Sequence, residues 1–569
     1  MNMSTLKIDD LRKVILSLNG KRFDAYRELT GEYDFGDFIL VIDYIPDNPA
    51  KQSSRIRARI SFDTAKFPYD VFNTKSREIG ARDFLIRAIS SSASKLSKSA
   101  FGIKGGKIII DRLGQEILEN TALVMGNDYI EARFSVDLPV KGERISGNQT
   151  AELFGNSIPK IIRECLIFKN LDGDGLAEWI EANEDADAVR SMLDELGLAA
   201  FVADGSVLPR NSFADPRPLF NCSVAFKAPE ELAVTLELPN AGKVRGMGIP
   251  KGITLITGGG GQGKSTLIEA LALGVYNHIP IDGRQLVITA GDAVAIRAEE
   301  GRRIENVDIS PFFPSLEPGK DPKHYSTPFA SPAVSQAANI MEAIEIGTSL
   351  IIIDEATSAA DIMDHDARMQ KLIPDSQETV TPLVDILPLL KRQKNISSII
   401  VSSSAGDFLE IADTVISLNG FQPILATAEA KRIVTQYPSG RTSLAVDFPA
   451  AIDRYPLSHS LEPYKNPSSE GSRFYGRGYV QYGDEFIDCT KVIQLINHSQ
   501  GRSISRSISL LHRLIDSSKS LSDAVEKVMM RVNTVGLDTL SGRLMGDLAS
   551  FRAYELAAAI NRMRKVKVK

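Results

Sequence analysis

Cysteine, histidine and tryptophan are scarce in this chain of 569 residues. It has three cysteines, six histidines and one tryptophan, and none of the cysteines or histidines has the short spacing of a zinc site. Cys165, Cys222 and Cys489 lie far apart, which excludes a disulfide framework and indicates a reducing compartment. No apolar run approaches the length of a membrane span, and the first residues lack the apolar segment of a secretion signal. We therefore expect a cytoplasmic protein without membrane segments.

Charge is small overall but unevenly distributed. The net charge is −6, yet residues 471–569 contain 16 basic and 9 acidic residues, a surplus of +7 that leaves −13 for the rest. Such asymmetry indicates a C-terminal end that faces a polyanion. An ordinary solvated surface explains charge runs of this kind as well.

The length predicts several domains, and the pattern of strands and helices suggests their boundaries. Residues 1–160 predict an α+β domain. Residues 161–455 alternate apolar strands with helices, which favours a three-layer α/β domain with a largely parallel sheet. A segment rich in Pro, Ser and Asn, 456–472, is typical of a linker. The remainder, 473–569, is predicted to be a small, basic and mostly helical domain.

Two features of the N-terminal domain concern basic residues. Residues 33–45 predict one strand and residues 53–62 a second strand, on which alternation places three arginines on one face: Arg55, Arg57 and Arg59. The segment 90–107 is rich in Ser, Lys and Gly and predicts a mobile basic loop with four lysines: Lys95, Lys98, Lys104 and Lys107. Both features suit a phosphate backbone, although a solvated sheet face explains the arginines equally well.

The strongest motif follows an apolar strand that begins at Ile253. Residues 258–265 fit G-x-x-x-x-G-K-[ST], in which glycines let backbone N–H groups point at phosphate oxygens and a helix adds its positive end. The lysine can reach the β- and γ-phosphates, and the serine hydroxyl can bind Mg²⁺. We expect the nucleotide to be held by Gly258, Gly259, Gly260, Gly261, Gln262, Gly263, Lys264, Ser265 and Thr266.

A second apolar strand ends in adjacent carboxylates. Residues 350–354 lead to Asp354, which we expect to hold Mg²⁺ together with Ser265, as a Walker-B aspartate does. Glu355 follows at once and is placed to orient or deprotonate the attacking water. The sequence therefore predicts a Mg²⁺-dependent ATP site with Glu355 and Lys264 as catalytic groups.

In order and spacing, Lys264–Ser265, DEATSAAD at 354–361 and FLEIADTVISL at 408–418 resemble ABC-class ATPases. The resemblance implies that Ser331, 23 residues before Asp354, opens the helix that faces the γ-phosphate of a partner subunit, and that residues 359–361 form the D-loop. Two positions depart from the family: Ser403 stands where the switch histidine is usual, and Asp308 is the nearest candidate for the Q-loop glutamine. A slow ATPase is the expectation that follows.

A wider resemblance covers nearly the whole chain. GMGIPKGITLITGGGGQGKST, SQAANIMEAIE, YIEARFSVDLP and FRAYELAAAINRMR are similar to the family described as "predicted ATPase of the ABC class", which includes the ATPase of the trypanosome mitochondrial RNA-binding complex. This resemblance implies a homodimer that binds RNA or single-stranded DNA along a basic channel. The residues available for such binding are the three arginines and four lysines named above together with Arg562, Arg564, Lys565 and Lys567.

Two other functions fit parts of the same pattern. A P-loop kinase that phosphorylates a small molecule would share the phosphate loop, but the adjacent Asp354–Glu355 pair and the helix at Ser331 argue against it. An ABC ATPase that acts on a protein partner without nucleic acid would share the whole catalytic apparatus. Only the basic residues distinguish this second alternative from a nucleic-acid-binding ATPase.

Overall fold

A computed structural model describes residues 6–48, 53–99, 106–111, 113–212, 215–221, 223–316, 318–363, 367–373, 377–443, 447–449, 453–463, 478–516 and 518–569. The chain divides into two compact units. Of the described residues, the first unit comprises those within 6–184 and 535–550, and the second comprises those within 185–463, 478–534 and 551–569. Lys104, Cys222 and the side chain of Lys98 lie outside the described part of the structure, whereas the backbone of Lys98 belongs to a helix.

A seven-stranded sheet forms the centre of the first unit. All its neighbours pair antiparallel except the first two strands, which are parallel. In sheet order the strands are Leu6–Lys7, Gly31–Asp34, Ile39–Tyr44, Ser54–Ser61, Tyr129–Val136 and Ile108–Ile109, with Leu123–Met125 also paired to Tyr129–Val136. Three further short strands are Glu116–Ile117, Val140–Lys141 and Arg144–Ile145.

Helices cover the apolar face of this sheet. They are Ile8–Ser17, Phe62–Ala65, Lys75–Ser99, Gly147–Glu152 and Ile158–Leu166, with 3₁₀ turns at Phe23–Leu29, Tyr69–Val71, Phe168–Asn170 and Leu537–Leu540 and a π turn at Leu153–Ser157. The helix Gly173–Met192 begins in this unit, where its Leu176 and Ile180 belong to a separate apolar cluster with Val71 and Ala81. Leu11 and Ile15 of the first helix are buried, as its period predicts, and share a core with Ile56 and Ile130 of the sheet.

Two local predictions in this unit are wrong. Residues 33–45 form the end of one strand and all of another, because the chain turns between Asp34 and Ile39 and the strands pair antiparallel. Residues 90–99 are helical, so Lys95 and Lys98 do not lie in a loop. The apolar period of the helix continues through the buried Ile89 and Ala93, while Ser91, Ser94 and Lys95 are exposed on its outer side.

A six-stranded sheet forms the centre of the second unit. It is parallel except at its last pair, and its strands in order are Val294–Ile296, Leu350–Asp354, Ser397–Val401, Ile253–Gly258, Thr414–Asn419 and Gln422–Leu425. A separate antiparallel sheet has the order Ala233–Leu238, Gly242–Pro250, Leu198–Ala203 and Val287–Thr289. Additional strands are Arg210–Ser212, Asp215–Pro218, Asn277–His278, Arg302–Val307, Tyr325–Ala330, Tyr479–Tyr482 and Glu485–Asp488.

Helices cover both faces of the parallel sheet. Leu255 and Ile353 share a core with the helices Pro332–Glu345 and Leu383–Lys394, while Lys264–Leu273 packs on the same strands from the other side. The remaining helices are Ala360–Met363, Ala367–Leu372, Phe408–Ile411, Thr427–Gln436, His498–Leu514, Leu521–Val535 and Ala553–Arg562, with 3₁₀ turns at Glu230–Leu232, Glu355–Thr357 and Ser458–Leu461. The predicted three-layer α/β core is confirmed.

The antiparallel sheet is where the strand predictions fall short. The alternation in residues 161–455 predicts one largely parallel sheet, but Ala233–Leu238 and Val287–Thr289 pair within the separate antiparallel sheet. Strand signals do not carry the identity of the partner strand, so the sequence could not separate the two sheets. Among the described residues, no helix has the length and apolarity needed to span a bilayer.

Candidate nucleotide site

The phosphate-loop sequence lies at the carboxyl end of the strand Ile253–Gly258. That strand pairs in parallel with Ser397–Val401 and with Thr414–Asn419, so it is central in the sheet. The helix Lys264–Leu273 begins directly after the loop, with Gly263 as its N-cap. An anion held by the loop therefore faces backbone N–H groups and the positive end of the helix.

Two glycines of the loop are required by geometry. Gly258 has φ 137°, and a Cβ built on it would lie 2.6 Å from the carbonyl oxygen of Leu418 on the neighbouring strand. Gly263 has φ 92°, a left-handed conformation that other residues adopt only with strain. Gly261 also has a positive φ, 73°, whereas Gly259 and Gly260 are exposed. The loop can fold this tightly only because of these glycines.

Lys264 and Gln262 hold the loop in shape. The ammonium of Lys264 donates to the carbonyl oxygens of Gly258 at 2.7 Å and Gly259 at 2.8 Å. The side-chain oxygen of Gln262 accepts a hydrogen bond of 2.6 Å from the N–H of Gly420, at the turn after the strand Thr414–Asn419. Lys264 thus bends back over the loop, and its ammonium lies against the backbone of the first two glycines.

Ser265 and Asp354 line the same cavity. Its volume is about 260 Å³, and Ala356 and Thr357 also contribute to its wall. A hydroxyl and a carboxylate are oxygen ligands of the kind that Mg²⁺ takes, usually with phosphate oxygens and water completing the set. The pair therefore fits a Mg²⁺ ion bound to a nucleotide. The described residues contain no cluster of three His, Cys, Asp or Glu that could hold a metal without such a ligand. Thr266, in the first turn of the helix, is half-buried.

Glu355 is held by the loop that follows the neighbouring strand. Its Oε2 accepts a hydrogen bond of 2.8 Å from the N–H of Ser403, and its Oε1 accepts one from the hydroxyl of Ser404. Burial opposes ionisation of Glu355, but the hydrogen bonds from Ser404 and Ser403 outweigh it and lower the pKa below its usual value of 4.5. Glu355 is accordingly a carboxylate at neutral pH.

The residue at the switch position acts through its backbone. Ser403 contributes its N–H to Glu355, and it is the side chain of the next residue, Ser404, that reaches the carboxylate. The sequence predicts Ser403 as the switch residue, whereas the hydroxyl in contact with Glu355 belongs to Ser404. A side chain two residues after the strand end cannot be placed from the sequence alone, because the turn decides its direction.

Ser331 caps the helix Pro332–Glu345. Its hydroxyl accepts a hydrogen bond from the N–H of Val334, and both Ser331 and Pro332 are exposed. Deeper in the helix, Gln336 is buried: its amide donates 3.0 Å to the hydroxyl of Ser358 and accepts 2.8 Å from the N–H of Ala359. Gln336, which no sequence motif marks, therefore connects the expected D-loop to this helix.

Asp308 does not lie on the cavity wall. It follows the strand Arg302–Val307, and its Oδ1 accepts a hydrogen bond of 2.9 Å from the N–H of Ser310. The residue beside Asp354 is instead Arg297, which lines the cavity together with Glu269. Arg297 directly follows the apolar strand Val294–Ile296, and that short strand was the signal that could have identified it.

Arg55, Arg57 and Arg59 share one face of the strand Ser54–Ser61, but acidic side chains of the neighbouring strands form ion pairs with arginines on that face. Arg57 is 7% exposed and donates to Asp43 at 2.6 Å and to Glu131 at 2.7 Å; Arg59 donates to Glu131 as well. The guanidinium of Arg55 lies 4.7 Å from the centre of the Tyr44 ring. Arg57 is therefore not available to a phosphate backbone, because the neighbouring strands bring acidic residues beside it. This corrects its predicted role.

The lysines on the surface of this unit differ from its arginines. Lys95, on the helix Lys75–Ser99, and Lys107, before the strand Ile108–Ile109, are both exposed or half-exposed. Within the described part of the chain, neither lysine forms a buried ion pair. Both side chains are therefore accessible to a phosphate group.

Arg562 also has a different position from the one predicted. It is largely buried and forms an ion pair with Glu299, and it donates 3.0 Å to the side-chain oxygen of Asn339. Lys567 pairs with Glu305 at 3.5 Å, and Arg564 lies over the ring of Phe329 at 5.7 Å. The apolar period of the helix Ala553–Arg562 carries Arg562 into the core, so it does not join the exposed Lys565 on the surface.

These features define a P-loop ATPase fold of the ABC type: a central phosphate loop, a carboxylate strand separated from the loop's strand by one parallel strand, and a capped helix before the carboxylate strand. Three family models match consecutive parts of the chain. "ATPase of the ABC class N-terminal" matches residues 8–169, the P-loop domain ABC_ATPase matches 172–454, and "MRB1590 C-terminal domain" matches 473–569. The chain belongs to the ABC-class ATPase family and is related to the MRB1590 ATPase.

Relatives of this chain include an archaeal protein. The chain is 34% identical over 232 residues to "Uncharacterized protein MJ1628" of Methanocaldococcus jannaschii, a match that covers 39% of this chain and 50% of that protein. The chain thus spans about half the length of this curated relative. Two solved structures of MJ1267, described as an ATP-binding cassette of an ABC transporter, are each 16% identical. They cover 42% and 35% of this chain and 96% and 89% of their own, with TM-scores of 0.22 and 0.20.

Proposed function

We propose that this protein is a cytoplasmic, Mg²⁺-dependent ATPase that closes as a homodimer around two ATP molecules. The observation that carries the proposal is that Ser265 of the phosphate loop and Asp354 of the carboxylate strand line one cavity, with Glu355 directly after Asp354 in the chain. That arrangement supplies metal ligands and a carboxylate at the place where a nucleotide's terminal phosphate meets water.

Each residue of this site has a separate role in binding and hydrolysing ATP. Backbone N–H groups of Gly258 to Gly263 and the ammonium of Lys264 bind phosphate oxygens, while Ser265 and Asp354 hold Mg²⁺. Glu355 orients a water whose oxygen attacks the γ-phosphorus. As that bond forms, the bond from phosphorus to the bridging oxygen breaks, ADP leaves with the electron pair, and a proton of the water passes to Glu355. Free phosphate and ADP are the products.

Dimer formation rests on the helix that Ser331 caps. Its first residues are exposed, so its N–H groups and positive end are open to an anion from another copy of the chain. The tie between Gln336 and Ala359 places the D-loop beside this helix. One subunit would then supply the phosphate loop, and the other would supply the helix end.

Hydrolysis is proposed to be slow. Both carboxylate oxygens of Glu355 accept hydrogen bonds, from Ser403 and Ser404, and these bonds lower its pKa and make it a weaker base toward water. A serine loop also lacks the imidazole that a switch histidine offers to the γ-phosphate. Turnover is therefore expected at the low end of the usual range for such enzymes.

We further propose that closure is coupled to binding of RNA or single-stranded DNA. Lys95 and Lys107 on the first unit support this proposal, together with Arg564 and the exposed Lys565 near the C-terminus. Arg57 and Arg562, which are buried in ion pairs, are not part of it. Contacts of this kind are independent of sequence and weaken as salt rises.

ATP turnover tests the first proposal. Wild type should release ADP and phosphate in equal amounts only when Mg²⁺ is present, and Lys264→Ala should do neither. Appearance of a phosphorylated small molecule in place of free phosphate would support the kinase alternative. Sedimentation of Glu355→Gln with ATP should show a dimer, whereas the same variant with ADP should remain monomeric.

A salt titration tests the nucleic-acid proposal. Single-stranded RNA should bind Glu355→Gln with ATP more tightly than with ADP, and the double variant Lys95→Gln, Lys107→Gln should flatten the dependence of affinity on salt by about two phosphate contacts. Arg432→Gln is a suitable control, because Arg432 is an exposed arginine paired with Glu429. Dimer closure with ATP but without any RNA or DNA affinity would favour a protein partner instead.

A further inference from the structure

Arg297 lies beside the proposed metal ligand because of the way two strands pair. Val294–Ile296 and Leu350–Asp354 are parallel neighbours, with Ile296 opposite Ile353. The next residue on the first strand is Arg297, and the next on the second is Asp354. Both therefore leave the sheet at its carboxyl edge, where ligands of parallel sheets bind.

The cavity that Ser265 and Asp354 line also has Arg297 in its wall. The guanidinium is half-buried, and among the described residues it has no hydrogen bond and no ion pair within 4.0 Å. Burial lowers the pKa of Arg297, and the charges of Glu269 and Asp354 partly oppose that effect. Within the described structure, the charged guanidinium of Arg297 therefore lines the cavity without a hydrogen-bond or ion-pair partner. We call this planar group, with its parallel N–H donors, the fork.

Other buried arginines in this unit are paired. Arg302 donates to Glu342, Arg454 to Glu345 and Arg562 to Glu299. An arginine that serves only the fold usually ends in such a pair, because its planar group matches a carboxylate. Arg297 differs from them in both respects: it is unpaired among the residues described, and it lines a cavity instead of the core.

We propose that Arg297 binds the terminal phosphate of ATP and distinguishes ATP from ADP. This inference rests on the proposed function, since it assigns a ligand atom within the same site. The fork would contact two oxygens of the γ-phosphate on the side of Asp354. As negative charge moves from the γ-phosphate to the leaving oxygen, the fixed cation would stabilise the transferring group.

The nucleotide affinities of an Arg297 variant test the inference. With Mg²⁺ present, calorimetry would measure binding of ADP and of a non-hydrolysable ATP analogue to wild type, Arg297→Met and Arg297→Lys. We expect Arg297→Met to bind the analogue at least about tenfold more weakly while its ADP affinity stays within about twofold, since one charged contact to phosphate is lost. Arg297→Lys should recover part of the difference. Arg432→Met, which alters a surface arginine, should match wild type for both ligands.

Each outcome decides between the inference and its alternatives. If Arg297→Met binds each ligand as tightly as wild type does, the role of Arg297 is overturned. The ATPase proposal then stays intact, provided that wild type hydrolyses ATP. Equal loss of both ligands would show that Arg297 only balances Glu269 and Asp354. Absence of ATP binding by wild type would overturn the proposed function itself. Should Arg297→Met fail to fold, the ratio of the two affinities in Arg297→Lys decides: an unchanged ratio overturns the inference.

Discussion

The N–H of Ser403 donates a 2.8 Å hydrogen bond to Oε2 of Glu355, which lies at the end of the neighbouring parallel strand. The hydroxyl of Ser404 donates to the other carboxylate oxygen. Glu355 is therefore ionised, and the loop after the strand Ser397–Val401 holds both its oxygens. The same hydrogen bonds lower its pKa, so the loop also weakens the basicity of this carboxylate.

The first prediction concerns Glu355 itself. Glu355→Gln removes the carboxylate that accepts the proton of water but keeps the shape of the side chain. Phosphate release should fall by about 100-fold to 10,000-fold, the usual contribution of a general base. Affinity for ATP should remain within about threefold of wild type, since the new amide group would orient water and would not contact the phosphates directly. A variant that hydrolyses ATP at the wild-type rate would remove Glu355 from the mechanism.

The second prediction distinguishes the two serines. Ser404→Ala deletes a hydroxyl whose hydrogen bond lowers the pKa of Glu355, so the carboxylate becomes a stronger base and turnover should rise by about twofold to tenfold, equivalent to one modest hydrogen bond. Ser403→Ala keeps the N–H that donates to Glu355, and its turnover should remain close to wild type. Steady-state phosphate release measures both variants. A large loss of turnover in Ser403→Ala and none in Ser404→Ala would restore Ser403 as the switch residue.

The third prediction concerns pH. Hydrogen bonds lower the pKa of Glu355 below 4.5, so the carboxylate is present throughout the neutral range and is lost only as pH falls through that lowered value. The activity of wild type should show no ionisation of this group between about pH 6 and 8. In Ser404→Ala one hydrogen bond is missing, so the pKa rises and the acidic limb of the turnover profile should move to higher pH. An acidic limb that does not move would show that another group limits turnover in acid.

The fourth prediction compares two loop glycines. Gly258→Ala places a methyl 2.6 Å from the carbonyl oxygen of Leu418 and requires φ 137°, so the free energy of unfolding should fall by about 2 kcal/mol and nucleotide binding should be lost. Gly260 has no neighbour within 4 Å of a built Cβ, so Gly260→Ala should change stability by less than about 0.5 kcal/mol. Thermal unfolding without nucleotide measures both. Equal losses would mean that the loop does not adopt this conformation.

The fifth prediction concerns the buried pair of Glu299 and Arg562. Burial opposes ionisation of Glu299, but Arg562 and Arg302 outweigh it and lower its pKa to about 2. The ionised Glu299 therefore contributes about 3 kcal/mol to the free energy of unfolding. This contribution is complete above the usual pKa of 4.5 and is lost as pH falls toward 2. Glu299→Gln should therefore make unfolding less dependent on pH across this window, as denaturant titrations at pH 5 and pH 3 would show.

Arg562→Gln leaves Glu299 buried without its partner and should cost about 3 to 5 kcal/mol at neutral pH. Lys565→Gln, which alters an exposed neighbour, should change stability little. If Arg562→Gln instead weakened RNA binding at unchanged stability, the original assignment of Arg562 to nucleic acid would stand.

Much of the site could be predicted because its chemistry is local. The loop from Gly258 to Ser265 is contiguous, and its spacing alone requires a strand before it and a helix after it. Asp354 and Glu355 end an apolar strand, which in a parallel sheet places them at the same edge as the loop. Ser331 precedes Pro332, a pattern that begins a helix without any help from distant residues.

Arg57 and Arg562 show where such reasoning ends. Each belongs to a basic run that suits a polyanion. In the structure, however, Arg57 is buried in an ion pair with Glu131 of the neighbouring strand, and Arg562 is buried in an ion pair with Glu299. Arg297 was missed for the opposite reason: no motif in the chain around it marks it for this site. Its importance arises only from strand order, which brings Val294–Ile296 beside Leu350–Asp354.

The sequence by itself determined the fold class, the phosphate loop and the carboxylate pair, because each depends on residues within a few positions of one another. The tertiary structure alone decided which charges are free and which are paired, which serine reaches Glu355, and which strands form the antiparallel sheet. The physical reason is that burial and pairing depend on residues far apart in the chain, and their approach is set by the packing of the whole core.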